Sequence, residues 1–131
     1  MTPPSMREVR SPGAPAPVGP YVQGLTHQGL LFCSGQIPLD PETGRLVEGE
    51  IEVQAERAIA NLRAVLEAGG SSLERVLRTT VYVTDLSLFP RVNRVYARHF
   101  TGNPVPARVT VQAAALPLGA PIEIDAIAAT G

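Results

Sequence analysis

Apolar residues recur with a helical period from Ile51 to Ala68, while the chain on either side of that stretch reads as β-structure. This change of period, made twice along the sequence, constrains the fold more than any other feature. Ile51, Ala55, Ala58, Ile59, Leu62 and Leu66 make one stripe, and Glu52, Glu56, Arg63 and Glu67 lie mostly off it as a solvated face. Gly69-Gly70 ends the run, glycine being tolerated where the backbone turns left-handed. Ser71-Ser72-Leu73-Glu74 has capping-box spacing and predicts one helical turn. Arg78 to Thr84 is then so rich in β-formers that it reads as a central strand with both faces covered. A second helix is capped at Asp85 or Ser87, tolerates Pro90 in its first turn, and buries Phe89, Val92, Tyr96 and Phe100. Gly102-Asn103-Pro104 stops it.

Two strands complete the chain. In Val105-Pro106-Ala107-Arg108-Val109-Thr110-Val111-Gln112, the residues Arg108, Thr110 and Gln112 share one face and Val109 and Val111 the other. Ile122 to Ala128 sets Glu123 and Asp125 opposite Ile122, Ile124 and Ala126. Ahead of the first helix, Val22 to Leu25 and Leu30 to Gly35 form a hairpin around Thr26-His27-Gln28-Gly29, with Phe32 and Ser34 facing away from Leu31 and Cys33. His27 reads as a solvated turn residue and Cys33 as a small core hydrophobe. Asp40-Pro41-Glu42-Thr43-Gly44 is a turn, and Arg45-Leu46-Val47 a possible short strand. Residues 1–18 read as a flexible, proline-rich arm whose prolines block helix and ladder pairing, leaving 19–131 as a single domain.

Helices placed between strands require crossovers of one hand, so both should cover the same face of one mixed sheet. The opposite face then needs its own cover. With no third helix in the chain, that cover is most simply another copy of itself.

Several functions are disfavoured by composition. A net charge of -1 gives no electrostatic case for nucleic acid or an anionic membrane. All 11 cationic residues are arginine, so no lysine is present to hold pyridoxal phosphate as a Schiff base. A single cysteine, Cys33, and two histidines, His27 and His99, supply no recognisable metal-ligand spacing. No Gly-x-Ser-x-Gly elbow or glycine-rich phosphate loop occurs. The chain has neither an apolar run long enough to span a bilayer nor a signal-peptide core, and a cytoplasmic location is expected. What remains is an arginine on one strand, carboxylates on the next, and the hydroxyls of Tyr21, Ser34 and Thr110. Arg108 is either a solvated edge residue or a planar clamp for a carboxylate or phosphate. Glu123 is either an exposed strand residue or a group that handles water.

Six segments in order resemble the RidA/YjgF family of reactive-intermediate deaminases. They are Gly19-Pro20-Tyr21-Val22-Gln23-Gly24, Ser34-Gly35-Gln36-Ile37-Pro38, Thr79-Thr80-Val81-Tyr82-Val83-Thr84-Asp85-Leu86, Val92-Asn93, Pro106-Ala107-Arg108 and Ile122-Glu123-Ile124-Asp125-Ala126-Ile127-Ala128. The resemblance implies a chorismate-mutase-like α+β fold, a mixed sheet with two helices on one face, assembled as a homotrimer with clefts between subunits. It implies hydrolysis of 2-imino acids and their enamine tautomers, such as 2-iminobutanoate and 2-iminopropanoate, to 2-oxo acids and ammonia, with no metal or organic cofactor. Carried over by position, Arg108 holds the substrate carboxylate, Tyr21, Ser34 and Asn93 line the cleft, and Glu123 places or activates water. Thr110 stands where the best-known members carry cysteine, which bears on substrate preference more than on activity. A non-catalytic trimer that binds small carboxylates or a partner protein is the alternative; an RNA-cleaving activity is weaker, since the chain lacks a basic patch.

Overall fold

A computed structural model of the chain describes residues 5–131. Its strands are β1 (Arg7–Val9), β2 (Gly24–His27), β3 (Leu30–Gln36), β4 (Val76–Val83), β5 (Ala107–Gln112) and β6 (Ile122–Ala129), and its helices are α1 (Ile51–Ala68) and α2 (Phe89–His99). They form one mixed sheet in the order β1-β2-β3-β6-β4-β5, antiparallel throughout except for the parallel pair β4–β5. Both helices are crossovers between strands of like direction, α1 from β3 to β4 and α2 from β4 to β5. They pack on each other and on the same face, as right-handed connections require.

Local chemistry accounts for the element ends. Gln28 and Gly29 both have positive φ, 51° and 79°, which is the geometry that joins twisted antiparallel strands through a two-residue turn. The turn is therefore tighter than the four residues expected, and β2 runs on through His27. The glycines after α1 divide the work. Gly70 takes the left-handed conformation at φ 82°, with Ser71 N–H donating to Leu66 O at 2.8 Å. Gly69 is needed for space, because a Cβ there would sit 2.6 Å from Leu31 Cδ2. The capping box is not made: Ser71 Oγ instead donates to Ala129 O at 2.6 Å, tying the start of the 3-10 turn Leu73–Arg75 to the last strand.

Leu31, Leu62, Val65, Leu66, Val81 and Ile124 are fully buried between helices and sheet. Each contributes about 1.5–3 kcal/mol relative to its exposed state. The α1 stripe lies as its spacing predicts, whereas in α2 the most buried residue is Val95, outside the stripe read from the sequence. Glu52 and Glu56 are not merely solvated. Arg91 bonds Glu50 and Glu52, and Arg98 and His99 bond Glu56, so these charges pin α2 against α1.

Two expectations are corrected here. The arm is not free of pairing, for Arg7–Val9, a stretch without proline, adds a strand to β2. Beyond β1 the arm is held by Gln23, itself buried, whose Nε2 donates to the carbonyls of Ser11, Ala14 and Pro15 and whose Oε1 accepts from Ser11 N–H at 2.6 Å. Pro3 and Pro4 lie outside the described residues. The second correction concerns β4, which is covered on one face only. Val76, Thr79, Val81 and Val83 are buried under the helices, but Thr80 and Tyr82 face the other way. On that open face they stand beside Val109 and Val111 of β5, 40% and 38% exposed, and beside Glu123 and Asp125 of β6. Phe32, 42% exposed, belongs to the same face. Arg45-Leu46-Val47 contributes an isolated bridge, Leu39 to Leu46, rather than a strand.

Candidate active site

Strand register decides how the candidate residues are grouped. Arg108 is level with Thr79, which is fully buried, so it leaves the sheet on the helical side; Thr110, level with Val81, does the same. Glu123 is level with Tyr82, three residues along β4 from Thr79, and so leaves on the open side. The chain therefore carries two groups of candidate residues on opposite faces of its sheet, and Arg108 does not meet Glu123 within it.

The first group surrounds a cavity of about 310 Å³ lined by Tyr21, Ser34, Gly35, Gln36, Ile37, Leu39 and Glu123, with Pro15 to Val18 as one wall and Pro117 at the rim. Most of that lining is apolar carbon, and Glu123 is its one ionisable carboxyl. Gly35 makes room for it: a Cβ there would stand 2.8 Å from Glu123 Cδ and 3.0 Å from Cγ. Burial, and secondly the negative charge of Asp125, push the Glu123 carboxyl above its ordinary pKa. A carboxylate raised in this way is a better proton acceptor near neutral pH than a solvated one. The hydroxyl of Ser34 donates to Val22 O at 2.6 Å, and that of Tyr21 accepts from Val18 N–H at 3.2 Å. Both hydroxyls thereby brace the loop between β1 and β2, Tyr21 from within it and Ser34 from β3.

The second group lies at the β5 edge. The Arg108 guanidinium stacks between two rings, its Cζ 5.1 Å from the Phe89 centroid and 4.7 Å from that of Tyr96. Tyr96 is itself fixed, sharing a 2.8 Å hydrogen bond with Thr79 and stacking on Phe100 at 4.1 Å. Asn93 is one turn beyond Phe89 on α2, half-buried, and hence on the same helix face. Arg108 is exposed, its guanidinium carbon over both aromatic rings, a placement that leaves a planar donor group open to an oxyanion.

Cys33 belongs to neither group. It is buried, and burial followed by the Asp125 charge pushes its thiol up to about 12, so it stays protonated and inert. Asp125 accepts from the Tyr82 hydroxyl at 3.3 Å, which distinguishes it from Glu123 on the same face. Gln112 is also structural, accepting Leu86 N–H at 2.8 Å. Sequence reasoning missed the aromatic cradle of Arg108, although Phe89 and Tyr96 were visible as aromatics at helical spacing.

Gly35→Ala is expected to remain folded and to displace the Glu123 carboxyl; if that carboxyl is catalytic, a shift of about 1 Å should cost on the order of 100-fold in rate. Turnover at the wild-type rate would mean that the position of the Glu123 carboxylate is immaterial.

Among known proteins, the family described as "Endoribonuclease L-PSP" matches residues 12–130. The protein DfrA of Myxococcus xanthus is 51% identical over 124 residues, covering 93% of this chain and 94% of its own. The chloroplastic Reactive Intermediate Deaminase A of Arabidopsis thaliana is 45% identical over 115 residues, 88% of this chain and 61% of that protein. Among solved structures, TdcF of E. coli with bound serine superposes with a TM-score of 0.89 at 36% identity, covering 95% of this chain and 99% of the other. Matched along nearly its whole length in sequence and in fold, the chain belongs to the RidA/YjgF family, which includes reactive-intermediate deaminases.

Proposed function

We propose that this protein hydrolyses reactive 2-imino acids and their enamine tautomers, 2-iminobutanoate and 2-iminopropanoate among them, to 2-oxo acids and ammonia. The reaction takes place in clefts between the subunits of a homotrimer. The observation that carries this reading is the division of the site: a carboxyl with a raised pKa at a small cavity on one face, and an aromatic-cradled arginine on the other. Each half lacks what the other has. Packing the open face and β5 edge of one copy against another supplies both halves to a single cleft, and covers Phe32, Val109 and Val111.

The chemistry follows from those parts. Arg108 of one subunit grips the substrate carboxylate through its planar fork, and so fixes the adjacent imine carbon. Glu123 of the neighbour takes a proton from water as the water oxygen bonds to the carbon of the protonated imine, giving a neutral tetrahedral carbinolamine. The same carboxyl returns the proton to nitrogen. The C–N bond then breaks and ammonia departs, while the hydroxyl proton passes to the Glu123 carboxylate as the carbonyl forms and is released with the product. Tyr21, Ser34 and Asn93 line the cleft, and Thr110, next but one to Arg108 on its face, touches the substrate side chain. Since such imines hydrolyse unaided, a modest barrier reduction is sufficient and a covalent nucleophile is unnecessary. TdcF offers support from a relative, as the serine bound there has the carboxylate and size of these substrates.

The family's description supplies a second reading, RNA cleavage. A net charge of -1 gives little to neutralise phosphates, which weighs against it. The deciding experiment generates 2-iminobutanoate in situ, follows 2-oxobutanoate release with and without the protein, and runs an RNA-cleavage arm alongside. Accelerated release without RNA cleavage is expected. Binding of 2-oxobutanoate with no acceleration would replace the enzyme by a carboxylate-binding trimer.

A further inference from the structure

We infer that Asn61, oriented by Arg57, is a positioning residue for the cleft, holding from behind the irregular wall formed by Ile37, Pro38 and Leu39. The inference rests on the imine-hydrolase reading of that cleft. The wall begins two residues after Gly35, against which the Glu123 carboxylate lies, and Ile37 and Leu39 line the same cavity. It belongs to neither helix nor strand, and Pro38 has no N–H to give to a ladder. Its own backbone bonds are few: Leu39 N–H to Ile37 O at 2.7 Å, and Val47 N–H to Pro38 O at 2.9 Å.

Asn61 supplies the rest. It is fully buried in α1, an amide set among apolar residues, and its Nδ2 donates to Ile37 O at 3.1 Å and to Leu39 O at 2.9 Å. Both N–H bonds of the amide are thus spent on the two carbonyls that flank Pro38. Its Oδ1 accepts from Arg57, Nε at 3.0 Å and Nη2 at 2.6 Å, one turn earlier on the helix. The arginine fork has only donors, so it settles which end of the amide points inward and which outward. Both donors of a buried amide are then directed at the cleft wall. A polar side chain that served packing alone would have been replaced by leucine at less desolvation cost. Arg57 itself does not line the cavity. Its effect on the site therefore passes through Asn61.

Arg57→Met retains the aliphatic stem and removes the donors, on a half-buried surface where folding is expected to survive. Arg57→Lys restores one donor. Asn61→Asp keeps the shape and replaces both wall-directed N–H bonds by oxygen. The readouts are 2-oxobutanoate affinity by titration calorimetry, kcat and KM with imine generated in situ, and the pH profile of kcat/KM. Expected for Arg57→Met are a roughly 3- to 10-fold weaker affinity, a matching rise in KM, and kcat within about twofold of wild type. Arg57→Lys should recover most of the loss. Asn61→Asp, if it folds, should lose more than Arg57→Met. A looser wall admits water to Glu123, so the acidic limb of the profile should move toward lower pH in Arg57→Met. Wild-type affinity and profile in Arg57→Met would overturn the inference, as would a lowered melting temperature with unchanged kinetics. If wild-type protein neither binds 2-oxobutanoate nor accelerates imine hydrolysis, it is the functional reading that fails.

Discussion

Arg108→Lys will lose most of its kcat/KM for 2-imino acids although it keeps the positive charge. The guanidinium carbon of Arg108 sits 5.1 Å from the Phe89 ring centroid and 4.7 Å from that of Tyr96, and a guanidinium can make two parallel bonds to a carboxylate. An ammonium offers neither the plane that stacks nor the fork that pairs. Breaking a desolvated charge-assisted pair typically costs about 2–5 kcal/mol. At about 1.4 kcal/mol per tenfold, this corresponds to a loss of roughly 30- to 5,000-fold. The same substitution should weaken 2-oxobutanoate binding, since the product carries the same carboxylate. Near-wild-type turnover in a folded lysine variant would remove the clamp from the mechanism. The fold itself should be untouched, as Arg108 sits exposed on an edge strand and bonds nothing in the core.

Glu123→Gln is expected to produce the other large loss, of a different kind. Glutamine keeps the volume against Gly35 and preserves the cavity, but it cannot accept the proton from water. General acid–base roles are worth about 10²–10⁴-fold. The loss should therefore fall on kcat, with 2-oxobutanoate binding little changed. In the wild type the carboxylate must be ionised to act. Its pKa is raised by burial and by Asp125, so activity should begin to fall at a pH above the ordinary carboxylate range of about 4.3. Asp125→Asn is the control: it shares the face, but it bonds the Tyr82 hydroxyl rather than lining the cavity. It should keep turnover and move the acidic limb down, since one cause of the raised pKa is gone. Equal losses in the two variants would deny Glu123 any special role.

Much of this fold is written in hydrophobic period. The bounds of α1, the inward face of β3 at Leu31 and Cys33, and the alternation of β6 follow from spacing alone, because burial there is one-sided and regular. The departures share a cause. Pairing of Arg7–Val9 depends on a vacant edge of β2, and the one-sided cover of β4 depends on where the helices land; neither is a property of the local residues. The same holds for the site. Arg108, Thr110, Tyr21, Ser34 and Glu123 stood out in the sequence as candidates, and Asn93 joined them only through the family resemblance. Their division between two faces was not legible, because it requires knowing that β4 lies between β5 and β6 and in what register. Gln23 and Asn61 escaped notice for a related reason. A buried amide reveals its purpose only when the carbonyls it serves, distant in sequence, are brought against it.

The claim at the centre of this account is that Arg108 of one subunit and Glu123 of another act in a single cleft. Co-expressing Arg108→Ala and Glu123→Gln chains under different tags, and purifying the mixed trimers, tests it most directly. In a closed ring each mixed trimer contains one cleft joining an intact Arg108 to an intact Glu123. Turnover of 2-iminobutanoate should then return to about one third of the wild-type rate, although either variant alone is nearly inactive. Mixed assemblies no more active than the parent variants, or a wild-type chain that is monomeric at micromolar concentration, would contradict it.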